Sequence, residues 1–105
     1  MAMEVSKSIQ NGKCTIAVNG EIDLYSSPDL RAAITKAVPE ASGALHVNLS
    51  GVEYMDSSGV ATLVEGLRAA MEKNLEFVLV APTQSVLKVL QLSRLDTVFK
   101  IRDQA

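Results

Sequence analysis

Apolar and polar positions in this chain change their spacing several times, and each change marks an element. Glu4 to Ile9 and Lys13 to Val18 read as two strands, the second alternating apolar with polar residues, the two-residue period of a half-buried strand. Asn11-Gly12 between them is the strongest short-range signal for a type I′ hairpin turn. Ser26-Ser27-Pro28-Asp29 opens a helix, because proline in the first helical position, after serine and before an acid, suits a helix N-terminus. Leu30, Ala33, Ile34 and Ala37 supply its apolar face, and Pro39 with Gly43 ends it. Ala44 to Leu49 is a short strand, followed by a loop from Ser50 to Asp56. The next helix begins at Ser57 or Ser58 and carries Val60, Val64, Leu67 and Met71 along one face of a 3.6-residue period. Glu76 to Ala81 is nearly all apolar, as in a strand covered on both faces. Pro82-Thr83 opens a third helix through about Leu92, with Val86, Leu87 and Leu90 inward, and Val98 to Ile101 forms a last edge strand. Strand–helix–strand alternation from Ala44 onward requires parallel crossovers, whereas the N-terminal hairpin is antiparallel. The expected fold is therefore a small α/β domain with a mixed sheet and helices packed against it.

Composition narrows the function more than the fold. At 105 residues the chain is expected to be a single domain, residues 1–105, with a core from about 4 to 101. Ten Lys and Arg against twelve Asp and Glu give a net charge of −2, and the basic residues are scattered rather than clustered. Neither nucleic acid nor an anionic membrane is expected as a partner on that basis. The absence of an eighteen-residue apolar run, and of a charged-then-apolar leader, predicts a cytoplasmic protein without direct membrane insertion. The single Cys14 cannot form an internal disulfide and fits a buried structural thiol. With one His and one Cys, no ordinary zinc site is expected, nor any other metal or cofactor.

The candidate chemistry gathers at Tyr54-Met55-Asp56-Ser57-Ser58-Gly59-Val60. Two hydroxyls, flanked by an acid and a glycine, stand where an apolar segment gives way to a helix. Ser57 falls close to the N-cap, where its oxygen can accept a bond from a first-turn N–H. That end of a helix is also electropositive and can hold a phosphate. On residues alone, plain capping accounts for the pattern, with Gly59 easing the turn. Asp23 and Asp56 are the two carboxylates that the motifs can bring together, either as a hydrolytic dyad or, as the residues alone favour, as a turn residue at Asp23 and a cap at Asp56. His46, mid-strand, reads as structural rather than catalytic. Met55 and Met71 fit core filling.

Asp56-Ser57-Ser58-Gly59-Val60 resembles the D-S-[ST]-G-[LV] signature of the STAS domain family, which includes bacterial anti-sigma factor antagonists. Gly20-Glu21-Ile22-Asp23 is similar to the family's G-E-[LIV]-D loop, and the separation of the two motifs matches. The resemblance implies a non-enzymatic partner-switching protein. Its partner would be an anti-sigma factor that is also an ATP-dependent serine kinase. Phosphorylation would dissociate the complex, and a serine phosphatase would reverse the mark. The family's phosphorylated serine maps to Ser57, with Ser58 as second choice. Gly20, Glu21, Ile22, Asp23, Asp56, Ser58, Gly59 and Val60 would form a small, mostly polar contact face, with Asp23 beside the serine. Ala61 departs from the Ser-Gly-Leu-Gly of many phosphorylated members. Alanine there also occurs in STAS subunits of phospholipid-transport ABC complexes, which is the alternative reading. A small hydrolase using Asp23 and Asp56 is a third.

Overall fold

The computed structural model describes residues 3–104. The chain runs β1 (Met3–Gln10), β2 (Lys13–Ile22), α1 (Ser27–Ala37), a 3-10 turn (Val38–Glu40), β3 (Ala44–Met55), α2 (Ser57–Glu72), β4 (Glu76–Val80), α3 (Gln84–Leu92) and β5 (Lys100–Arg102). The five strands form one sheet in the order β1-β2-β3-β4-β5. The β1–β2 pair is antiparallel, and every later pair is parallel, as the mixed-sheet expectation requires. Asn11 and Gly12 both take positive φ, 51° and 85°, which is the backbone of a type I′ turn.

One apolar cluster holds the layers together. It joins alternate strand residues (Cys14, Ile16, Val18, Leu45, Val47, Leu49, Phe77, Leu79) to Leu30 and Ile34 of α1, Val60 and Leu63 of α2, and Val86 and Leu90 of α3. The intervening strand residues, among them Thr15, Ala17, His46, Asn48 and Val78, point to the sheet face turned away from the helices. On that outer face Glu76 is bound by Lys100 at 2.6 Å and Arg102 at 3.4 Å. Cys14 is fully buried, and burial pushes its thiol pKa up.

Three expectations need correction. The segment 50–56 is not a loop: β3 continues to Met55 because β2 runs on to Ile22 and keeps pairing with it. Two register shifts accommodate the extension, between Ala17 and Asn19 and between Gly20 and Glu21. Gly51 sits at the first of them, where a Cβ would lie 1.7 Å from Asn19 Oδ1 and 3.2 Å from the Val18 carbonyl oxygen, so any side chain there would have to displace that of Asn19. By the same extension Gly20-Glu21-Ile22 is strand rather than loop. Thirdly, α2 buries Gly59, Val60, Leu63, Gly66 and Ala70, while Met71 is 64% exposed and Val64 and Leu67 are half-buried. The helix seats through Val60 and Leu63 together with the small Gly59, Gly66 and Ala70, which allow close approach, while Val64, Leu67 and Met71 mark its flank. Smaller shifts occur at the chain end, where β5 begins at Lys100 rather than Val98, and in α3, where Leu87 is only half-buried.

Candidate functional site

Parallel strands β2 and β3 end side by side, Ile22 opposite Met55, and both turn apolar side chains into the core at that point. The backbone N–H of Asp56 donates to the Ile22 carbonyl at 3.1 Å, tying the two strand exits together. The two motifs separated in sequence thus meet on one rim, at the carboxyl end of the parallel strands.

Asp56, not Ser57, is the N-cap of α2. Its backbone is extended (φ −107°, ψ −171°), and its carboxylate accepts the Ser58 N–H at 2.9 Å and the Ser58 hydroxyl. The Asp56 carbonyl accepts the N–H groups of Gly59 and Val60 at 3.1 and 3.2 Å. Ser57 is the first residue of the helix and is exposed, and its hydroxyl makes no hydrogen bond to another described residue. Of the two motif hydroxyls, one is therefore held by the cap and the other faces solvent.

Asp23 folds into a turn of its own. Its Oδ1 accepts the Ser26 N–H at 2.9 Å and the Tyr25 N–H at 3.0 Å. Ser26 Oγ accepts the Asp23 N–H at 2.9 Å and lies 2.9 Å from the Glu21 carbonyl and 3.1 Å from Asp23 Oδ1. The Ser26 amide above all, with the Ser26 hydroxyl and Tyr25 amide, holds the Asp23 carboxyl below the usual carboxylate range. Among the described residues, no hydrogen bond joins Asp23 to Ser57 or to Asp56.

Glycine 59 has a packing role that the sequence does not reveal. A Cβ there would lie 2.5 Å from Met55 Cγ and 2.8 Å from Ile22 Cγ2. Ile22, Gly59 and Val60, expected in the contact face, are buried beneath it and set its position. Gly20, Glu21, Asp23, Asp56 and Ser58 are half-buried, and Ser57 is exposed. The rim is also less polar than expected. Leu24 and Tyr25, in the turn after Asp23, are 67% and 89% exposed. The signal for them was present in the sequence, as two apolar residues in a segment bounded by turn formers.

His46 belongs to a different region. Its imidazole is on the outer sheet face, with Cys14 on the helix side, and its buried Nδ1 has no hydrogen-bond partner. A broad open depression of about 710 Å³ adjoins the rim, lined by Glu4, Asn19, Gly20, Gly51, Thr83 and Gln84 among others. Asp23, Asp56 and Ser57 stand outside it.

These features define a class: an α/β module whose parallel-strand rim presents an aspartate-capped helix start with one free serine. The family described as "Mlab, STAS domain" matches residues 5–102, and the chain belongs to the STAS domain family. An anti-sigma-B factor antagonist of Staphylococcus aureus (strain NCTC 8325) is 23% identical over 103 residues, spanning 98% of this chain and 95% of that protein. The crystal structure of an anti-sigma factor antagonist from Mycobacterium paratuberculosis superposes with a TM-score of 0.88 at 26% identity, covering 98% of this chain and 87% of the other. The anti-sigma factor antagonist SpoIIAA is similar in its unphosphorylated form (TM-score 0.77, 26% identity, 95% and 87% covered). It is also similar in the phosphorylated form, from Bacillus (0.71, 25%, 95% and 90%).

Proposed function

We propose that this protein is an anti-sigma factor antagonist acting without catalysis of its own. Unphosphorylated, it binds an anti-sigma factor that is also an ATP-dependent serine kinase; phosphorylation of Ser57 ends that association, and a serine phosphatase restores it. The observation that carries this reading is the division of labour at the motif: Asp56 caps the helix through Ser58, and Ser57 is left exposed with a free hydroxyl. The names of the relatives, and the existence of SpoIIAA in two phosphorylation states, support it.

A phosphoryl group adds about −1.5 to −2 charges and three strong acceptors. On Ser57 it would stand next to the Asp56 carboxylate, which already occupies the electropositive helix end. A contact surface fitted to a hydroxyl would have to desolvate this charge, and buried charge without a partner costs several kcal/mol. A loss of about 1.4 kcal/mol already weakens binding tenfold.

The test incubates the purified protein with the host's anti-sigma factor kinase and ATP, then locates phosphate by mass spectrometry. Ser57→Ala should bind the kinase and take up no phosphate, and Ser57→Asp should bind more weakly. Phosphate on Ser58 alone, or unimpaired binding by the phosphorylated protein, would overturn the assignment. Ala61 keeps a second reading in play, a STAS subunit of a phospholipid-transport ABC complex. That reading requires co-purification with a permease and its ATPase, with no phosphate on Ser57. Turnover of a phosphoester by the purified protein would instead favour a hydrolase built on Asp23 and Asp56.

A further inference from the structure

We infer that Leu24 and Tyr25 form an apolar anchor that enters a cleft on the protein partner, and that this cleft is edged by lysines and arginines. The inference deepens the proposed function and rests on it, since it concerns the partner that approaches Ser57. Three observations carry it.

The first is exposure. Leu24 and Tyr25 are adjacent, 67% and 89% exposed, and the turn they occupy leaves the same strand end that Asp56 grips through the Ile22 carbonyl. Exposed tyrosines in such positions are frequent carriers of interface energy. The second is rigidity. The turn is closed by Asp23 Oδ1 on the Tyr25 and Ser26 amides, by Ser26 Oγ on the Asp23 amide, and by the Ser27 N–H on the Asp23 carbonyl at 2.8 Å. A tip whose backbone is held this way loses less freedom on docking, so ordering offsets less of its burial. This also gives Asp23 a role: it shapes the turn that displays the anchor. The third is charge. Residues 19–30 and 50–60, which build the rim, contain no Lys or Arg, whereas Glu21, Asp23, Asp29, Glu53 and Asp56 lie on them. A surface complementary to an apolar tip on an acidic rim is an apolar cleft with basic edges.

The experiment uses the full chain and the host's purified anti-sigma factor kinase as probe, with affinities from titration calorimetry. Leu24→Ala and Tyr25→Ala should each weaken binding about tenfold or more, with thermal midpoints unchanged because neither side chain packs in the core. Met71→Ala is the control. That residue is 64% exposed but lies at the far end of α2, roughly 20 Å from Ser57 at 1.5 Å per residue, and its loss should leave affinity unchanged. Wild-type affinity should fall as NaCl rises from about 50 to about 300 mM, because screening weakens the rim attraction. If wild type binds and the Leu24 and Tyr25 variants bind equally well, the anchor is refuted while the proposed function stands. Salt-independent binding would refute the basic edges. If wild type fails to bind the kinase at all, the functional reading falls and takes the anchor with it.

Discussion

Asp56 and Ser57 differ by one position and by their expected contribution to stability. The carboxylate of Asp56 satisfies a first-turn N–H and the Ser58 hydroxyl, so Asp56→Ala should lower unfolding free energy by ~0.5–2 kcal/mol, with Asp56→Asn recovering most of it. Ser57→Ala removes an exposed hydroxyl that bonds nothing and should stay within ~0.5 kcal/mol of wild type. Urea denaturation of the three variants checks both statements; a large loss in Ser57→Ala would return the cap to Ser57. His46 gives a second prediction. Burial, and then the charges of Lys13 and Arg102, hold its imidazole below the ordinary value, with Glu76 opposing them. As pH falls, the unfolded chain therefore takes up the proton first. The stability tied to neutral His46 is complete above about pH 6.5 and is lost as pH drops below it. Carboxylates such as Asp23, depressed in the fold, act in a separate window below about pH 4. The urea midpoint should fall between about pH 7.5 and about pH 5.5, and His46→Val should flatten that slope.

The start of α2 is positioned by what it packs against, and Gly59 shows which effect wins. Alanine there would improve helix propensity by up to ~1 kcal/mol. Its methyl would meet Met55 and Ile22 well inside contact distance, and both are buried core residues unable to move aside. Overpacking of this kind costs ~1–3 kcal/mol, so Gly59→Ala should be destabilising on balance. Thermal unfolding measures the sign directly. A stabilised variant would mean that the helix start can lift off the strand ends, which would in turn leave Ser57 without a fixed position. The same helix explains why its apolar face was misread. Val60 of the 3.6-residue pattern is buried, but Val64, Leu67 and Met71 are not; the seam runs through Val60, Leu63 and the small Gly59, Gly66 and Ala70, and those three carry little weight in any hydrophobic periodicity.

Across the molecule, core and rim are separable. The apolar cluster that joins sheet and helices contains neither Ser57 nor the Leu24–Tyr25 tip. Phosphorylated protein should consequently unfold with the same denaturant dependence as the unmodified form, since the area exposed on unfolding is unchanged. Its stability should shift by no more than about 1 kcal/mol, set by repulsion between the phosphate and Asp56 against attraction to the helix end. Binding should respond far more than stability. Equal losses in the two quantities would mean that the modification disrupts the fold rather than the surface.

Local chemistry in the chain was enough to settle the hairpin at Asn11-Gly12, the helix start around Pro28, the apolar β4 and the mixed sheet. Each of these follows from neighbours in sequence: positive-φ turn residues, a proline with its fixed φ, alternation along a strand. What the sequence did not contain was everything fixed by segments distant in the chain. β3 extends to Met55 only because β2 continues beside it, and its glycine at 51 answers to Asn19, more than thirty residues away. The residues already offered Asp56 as a cap and Asp23 as a turn residue, and the Ile22 carbonyl that pins Asp56 comes from a distant strand; Gly59 is needed for Ile22 and Met55 rather than for a turn. The family resemblance of the two motifs pointed to the residues of the candidate site. Which of them stand at the surface and which lie beneath it was decided by close packing between strand ends and helix, where a single methyl group matters.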